Sequence, residues 1–352
     1  IGSKCPATTF HSNCTSSLAA LSAAFDKIRL GEASIILVGG IESMSQMYYM
    51  ANIDRKDKRF RTSEKVKEFW ADAKDKMELI DLLSSGLRCA ITGLSMIEIS
   101  EIIGQNYSVT QEAQTKFVAE SYKRLANNID HSSYIHTIGD LKEDELSKNY
   151  KDEDENYFAR SPILLKKEDL LNKPEFVKYL HKKQNFSPIV TRHSAVSNAD
   201  GAGFLLIMSE EKAKSLGYYI QGEIIDIDYT AIHPEVALLA PGYSIPKLLD
   251  RNHIEFSQPY FDIHMPFAAS ALGYFNMCQR KFGQNWYNKF YDGDINRYDN
   301  SFIGHPLAVT NIRNIINGLK VLYEDKEKSY VVISSCAAGG ISHSVLLKRY
   351  EN

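Results

Sequence analysis

The sequence predicts an α/β protein of two related halves, the first carrying a large helical insert, and three observations lead there. Short β-type runs are followed by helices built of small residues and nearly free of charge, at 15–29 and again after His264. Two apolar strands close on glycines, ASIILVGG (33–40) and SYVVISSCAAGG (329–340), one in each half. Each is followed by a final strand of its half, GAGFLLIMSEE (201–211) and ISHSVLLKRY (341–350). The repeat is one of supersecondary structure, not of residue identity.

The elements follow in order. Residues 7–12 alternate loosely and read as a strand. In 15–29, Leu18, Leu21, Phe25 and Ile28 recur at helical spacing, and Ala19, Ala20, Ala23 and Ala24 fill the other faces. A helix that is small or apolar all round is expected to be buried on all sides. Gly31 ends it. The run 33–40, apolar on both faces, reads as a central parallel strand. A charged, Tyr- and Lys-rich insert of mostly helical pattern follows. Within it, at 55–83, a basic run leads into Val66, Phe69, Trp70, Ala73, Met77 and Ile80 at helical spacing. That helix either packs on the insert's own core or lies in an interface with anionic lipid or a partner subunit.

The second half reads as a strand (219–229), a helix (244–251), a strand ending at His264 and a small-residue helix with Pro266 in its first turn. A further helix starts at Pro306, its buried stripe made by Ile312, Ile315, Ile316, Leu319 and Leu322. The first half starts directly at the strand matching 259–264. By internal symmetry an opening βαβα unit is therefore expected upstream of Ile1 or from another segment. The expected divisions are 1–46 (N-terminal domain, partial), 47–190 (insert), 191–217 (return strand) and 218–352 (C-terminal domain).

Length and composition set bounds. The 352 residues suit one very large domain or two ordinary ones, and 44% hydrophobic residues support a sizeable core. A net charge of −3 gives no nucleic-acid footprint at the level of the whole chain. No apolar run is long enough to cross a bilayer. Five cysteines without a CxxC pair argue against a disulfide framework and a zinc site, and for a reducing compartment.

Four residues carry the candidate chemistry. Cys14 stands where a strand gives way to a buried helix, a place where free amides and the helix dipole favour a thiolate. Buried cysteines are also common as small hydrophobes. His264 stands at the corresponding strand-to-helix point of the second half, and His305 just ahead of the helix at Pro306. Cys336 lies at the glycine turn ending a buried strand, where open α/β sheets bind ligands. If a pseudo-twofold axis relates the halves, these points meet near the centre.

With these motifs in view the chain resembles the thiolases from residue 6 to its end, and most closely the trifunctional β-subunit type. NCTSSLAA resembles the nucleophile motif, VGGIESMS (38–45) a family signature, and SNADGAGFLLIMSEEKAKSLGY (197–218) the returning segment. GHP (304–306), CAAGG (336–340) and HMPF (264–267) resemble catalytic motifs, and 91–127 the helical region facing coenzyme A. The resemblance implies a thiolase fold, two βαβαβαββ halves in α-β-α-β-α layers. It implies a 3-ketoacyl-CoA thiolase of fatty-acid β-oxidation, with coenzyme A as substrate and no permanently bound cofactor or metal. Cys14 would be the acyl-accepting nucleophile, His305 its base and Cys336 the proton shuttle. His264 and His305 would form one oxyanion hole, the amides of Cys14 and Ala338 the other. Phe267, Val196 and Met265 would line the substrate site. Expected partners are a twofold mate and a hydratase/dehydrogenase subunit, with peripheral membrane contact through 55–83 at a mitochondrial matrix or inner-membrane face.

The chain departs from the family pattern at Met265 and Pro266, Ala308 and Asn311, Tyr298–Asp299, Ser194 and Val196, and Ile341–Ser342. These cluster on the coenzyme A side. They keep open a second reading, a catalytically silent thiolase-fold subunit of a larger assembly.

Overall fold

The computed structural model describes residues 4–51, 79–127, 154–181, 186–298 and 301–351, with a few isolated residues near 64–68 and 137–140. Helix α1 (Ser16–Arg29) leads to β1 (Ile35–Glu42), and short β2 (Tyr49–Ala51) pairs with β3 (Leu79–Asp81). The insert then supplies α2 (Leu82–Gly86), α3 (Met96–Asn106), α4 (Gln111–Asn127), α5 (Glu155–Ala159), α6 (Lys167–Leu171) and α7 (Pro174–Val177). Strand β4 (Gly201–Met208) returns to pair antiparallel with β1, from Ile35 opposite Met208 to Glu42 opposite Gly201. After α8 (Glu210–Ser215) come β5 (Glu223–Ala231), α9 (Pro241–Arg251), β6 (Tyr260–Ile263), α10 (Ala268–Phe282) and α11 (Trp286–Tyr291). The chain closes with α12 (Thr310–Glu324), β7 (Tyr330–Ala337) and β8 (Ile341–Lys348). The second sheet has the order β5-β8-β7-β6, with β6 parallel to β7 and the other pairs antiparallel.

Two apolar cores hold these layers. In one, Leu18, Leu21 and Ala24 of α1 meet Val38 of β1, Ile315 of α12 and Val331, Ile333 and Val345 of the second sheet. Helix α12 thus lies between α1 and β7. The larger core joins the insert to α9–α11 through Ile99, Ile102 and Ile103 of α3, Phe117 of α4, and Leu272 and Phe275 of α10. Helix α3 starts on a complete capping box, Ser95 accepting from the Glu98 amide and Glu98 reaching back to the Ser95 amide. Arg124 of α4 is buried and donates to the carbonyls of Phe290 and Ile295, tying the insert to the second half.

Several expectations are corrected. Residues 7–12 form no ladder, having no strand beside them among the described residues to accept their backbone bonds. Among the described residues β1 pairs with β4 alone, antiparallel, and the parallel neighbour that its composition predicts is not among them. One face of that pair stays open, with Ile35, Leu37, Ile41, Phe204 and Leu206 exposed. α10 begins at Ala268 behind Phe267, two residues past Pro266, and Pro306 precedes a 3₁₀ turn (Leu307–Val309) rather than opening α12. Ile80 belongs to β3 and not to a helical stripe. Val66, Phe69, Trp70, Ala73 and Met77 lie outside the residues whose side chains are described. The repeat also aligns differently: α1–β1–β4 matches α12–β7–β8 in order and packing. The start of α12, with His305, is therefore the counterpart of Cys14, and His264 is not.

Candidate active site

Cys14 sits in a 3₁₀ turn (Asn13–Thr15) directly ahead of α1. Asn13 is left-handed, φ 48°, a conformation that asparagine tolerates. Short polar side chains lock the turn: the Ser12 amide donates to Ser16 Oγ (2.8 Å), which donates to the Asn13 carbonyl (2.7 Å). This places Cys14 Sγ 3.1 Å from His305 Nε2.

His305 is fixed from two sides. Its amide donates to the Ser197 carbonyl at 2.8 Å, and its Nδ1 lies 2.6 Å from Thr310 Oγ1. An Nδ1–H donated to that hydroxyl leaves Nε2 as the bare acceptor facing the thiol. His264 extends β6 by one residue, its amide donating to the Ser334 carbonyl of β7 (2.9 Å). Its ring lies nearly parallel to that of His305, centroids 4.1 Å apart. The Nε2 of His264 is buried without a hydrogen-bond partner among the described residues. Cys336, buried near the end of β7, is close enough for Cys14 to act on it electrostatically.

The electrostatics favour a neutral resting site. Burial pushes the Cys14 thiol up to about 12; its own amide opposes this and Glu42 adds to it. The expected low thiol pKa at the helix start is thus overturned: desolvation outweighs the amides. Burial, with the Arg313 charge, holds His305 down to about 3. Burial, His305 and Arg313 hold His264 well below its ordinary value, and burial with Cys14 raises the Cys336 thiol. The proton therefore rests on sulfur and both imidazoles are neutral at neutral pH.

The residues expected to line the substrate site also meet. The Val196 amide donates to the Pro266 carbonyl (2.9 Å), Ala195 bridges Phe267, and Met265 is buried behind His264. Ala338 lies just beyond β7, on the turn before β8. Sequence reasoning missed four contributors. Thr310 orients His305, and Arg313 faces both imidazoles. Asn311, noted only as a lost glycine, donates through Nδ2 to the Cys14 carbonyl (2.6 Å). Burial raises the Cys89 thiol, but the neighbouring Thr92, Ile91 and Gly339 together outweigh it and lower its pKa. No spacing marks Cys89, because its link to the CAAGG turn is purely spatial.

The chain has known relatives. Residues 1–211 match the family model of the thiolase N-terminal domain and 218–349 that of the thiolase C-terminal domain. A probable 3-ketoacyl-CoA thiolase of Caenorhabditis elegans is 28% identical, over 99% of this chain and 78% of the relative. The mitochondrial trifunctional enzyme subunit beta of Rattus norvegicus is 25% identical, over 99% and 73%. The acetyl-CoA acetyltransferase of Schizosaccharomyces pombe is 27% identical, over 97% and 79%. The solved structure of acetyl-CoA acetyltransferase from Syntrophomonas wolfei superposes with a TM-score of 0.80 at 21% identity, over 98% of this chain and 80% of that one. By sequence and by fold, this chain belongs to the thiolase family, whose relatives named here are acyltransferases.

Proposed function

We propose that the protein is a 3-ketoacyl-CoA thiolase, cleaving its substrate with coenzyme A into acetyl-CoA and an acyl-CoA two carbons shorter. The observation that carries this reading is the 3.1 Å contact of Cys14 Sγ with His305 Nε2, beside His264 and Cys336. As Cys14 attacks the 3-keto carbon, its proton passes to His305 Nε2. The C2–C3 bond breaks, leaving an acyl thioester on Cys14 and an enolate of acetyl-CoA that Cys336 protonates. Cys336 then takes the proton of the incoming coenzyme A thiol, whose sulfur displaces Cys14 from the acyl group, and the departing Cys14 thiolate takes its proton back from His305 Nε2. Splitting the cleavage through a thioester makes two easier steps of one hard one.

His264 and His305 serve the oxyanion of one step, and the amides of Cys14 and Ala338 that of the other. Losing one such donor costs roughly 3–4 kcal/mol of transition-state stabilisation. Phe267, Val196 and Met265 face the acyl and pantetheine portions. The joined Cys14–His305 pair favours this active reading over a silent subunit.

The same reading includes the four divisions given above, a role in fatty-acid β-oxidation and a homodimer. It also includes a hydratase/dehydrogenase partner and peripheral membrane contact through 55–83. A mitochondrial address is supported by the trifunctional-type motifs; named relatives come from mitochondria and from peroxisomes alike. No described helix is long and apolar enough to cross a membrane. The test is mass spectrometry of the protein quenched during turnover of acetoacetyl-CoA with coenzyme A. The expected result is thiolysis with an acetyl group on Cys14, both lost in Cys14→Ser. Absence of thiolysis and of any Cys14 adduct overturns the reading.

A further inference from the structure

Cys14, His264 and His305 each offer a ligand atom, and the three atoms lie within 4.8 Å of one another. We propose that this recess is also a binding site for a thiophilic divalent cation, Zn²⁺ above all, held by the Cys14 sulfur and one nitrogen of each imidazole. Tetrahedral zinc with these donors sets them about 3.4 Å apart, given Zn–S near 2.3 Å and Zn–N near 2.0 Å. The Cys14–His305 pair, at 3.1 Å, is already close to that spacing. The two imidazoles are stacked with centroids 4.1 Å apart, so the His264 ring must turn out of the stack for both lone pairs to converge on one ion.

Three further features fit a metal. The bond between His305 Nδ1 and Thr310 Oγ1 is the outer hydrogen bond that metal-binding histidines usually make, and it turns the Nε2 lone pair inward. His264 keeps one ring nitrogen, Nε2, buried and without a partner among the described residues. A set of one thiolate and two imidazoles suits zinc rather than magnesium or calcium, which prefer oxygen.

Binding releases the Cys14 proton to solvent and forms the sulfur–metal bond. It leaves one excess positive charge on the centre, with water in the fourth position. Glu42, which acts electrostatically on Cys14, favours that charge; Arg313, facing both imidazoles, opposes it. Cys336 is not among the three donors. The binding claim does not depend on the thiolase reading. Its consequence does: a metal on the Cys14 sulfur blocks acyl transfer, so Zn²⁺ is a reversible inhibitor competing with the acyl substrate.

Titration of the 352-residue chain with Co²⁺ tests the site optically, without activity. The expected result is one equivalent bound, with a thiolate-to-cobalt charge-transfer band and the intense visible bands of a four-coordinate ion. Added Zn²⁺ should bleach both. Cys14→Ser should abolish the charge-transfer band, Cys5→Ser should leave it unchanged, and Thr310→Val should weaken binding about tenfold. No charge-transfer band in the wild type, or one that survives Cys14→Ser, overturns the proposal. Thiolysis measured separately in chelator-treated protein keeps the two questions apart: activity without metal leaves the metal site standing or falling on the spectra alone.

Discussion

At the scale of single residues, the site rests as a neutral thiol beside a neutral imidazole. With the Cys14 pKa pushed up to about 12, the thiolate fraction grows with pH across the whole neutral range. The rate of iodoacetamide labelling of Cys14 should therefore keep rising between about pH 6 and 9 without a plateau; peptide mapping after timed quenching reads it. Thr310→Val removes the hydroxyl that holds the His305 ring at Nδ1. It should lower kcat about tenfold or more, within the range expected for impaired base catalysis, with little change in KM. Steady-state kinetics on acetoacetyl-CoA checks this split. Cys14, His305 and Cys336 were legible in the sequence because each sits at a strand end or helix start beside glycine, proline or small residues. Thr310, Asn311 and Arg313 were not, because side chains on the first turn of an ordinary amphipathic helix carry no mark of what they face.

At the scale of elements, most strands and helices follow from apolar period and punctuation. The failures are those where the partner decides. Among the described residues, 7–12 have strand-like alternation but no ladder, and β1 has the composition of a buried parallel strand but an antiparallel neighbour alone and one open face. Local pattern reports what a segment can do; pairing depends on what lies beside it. The correspondence of α1 with α12, placing His305 opposite Cys14, needed three-dimensional packing to be seen. The turn from β7 to β8 shows the tightest backbone demand. Gly340 has φ 88°, and a Cβ there would stand 2.1 Å from the Ile232 carbonyl oxygen. Gly340→Ala should cost about 2 kcal/mol or more, since it combines a left-handed backbone with a clash against main chain. Denaturant unfolding measures the loss.

At the scale of the whole molecule, burial of neutral histidines sets acid stability. His305, held down to about 3, and His343, held down to about 4, bind no proton in the folded protein until well below the ordinary histidine value. The unfolded chain takes those protons near pH 6.5, so the stability these groups leave intact above that pH is lost as pH falls toward their folded values. The melting temperature should drop steeply below about pH 6, and less steeply in His343→Gln; thermal scans across pH decide it. The insert is joined to the second half through Arg124, whose guanidinium serves two carbonyls in a buried setting. Arg124→Ala should destabilise by about 3 kcal/mol and expose the insert to protease first.

The pairing of Ile35 with Met208 has a kinetic corollary. β7 and β8 are joined by a short turn and can zip locally, whereas β1 must wait until the insert and the return strand have been threaded past it. Closing so long a loop is entropically expensive and late. Pulsed deuterium labelling during refolding should find the β7–β8 amides shielded first and those of β1 and β4 last. Until that closure the helix behind the nucleophile packs only on α12 and the second sheet, so the last step of folding also completes the layer that confines the reactive centre.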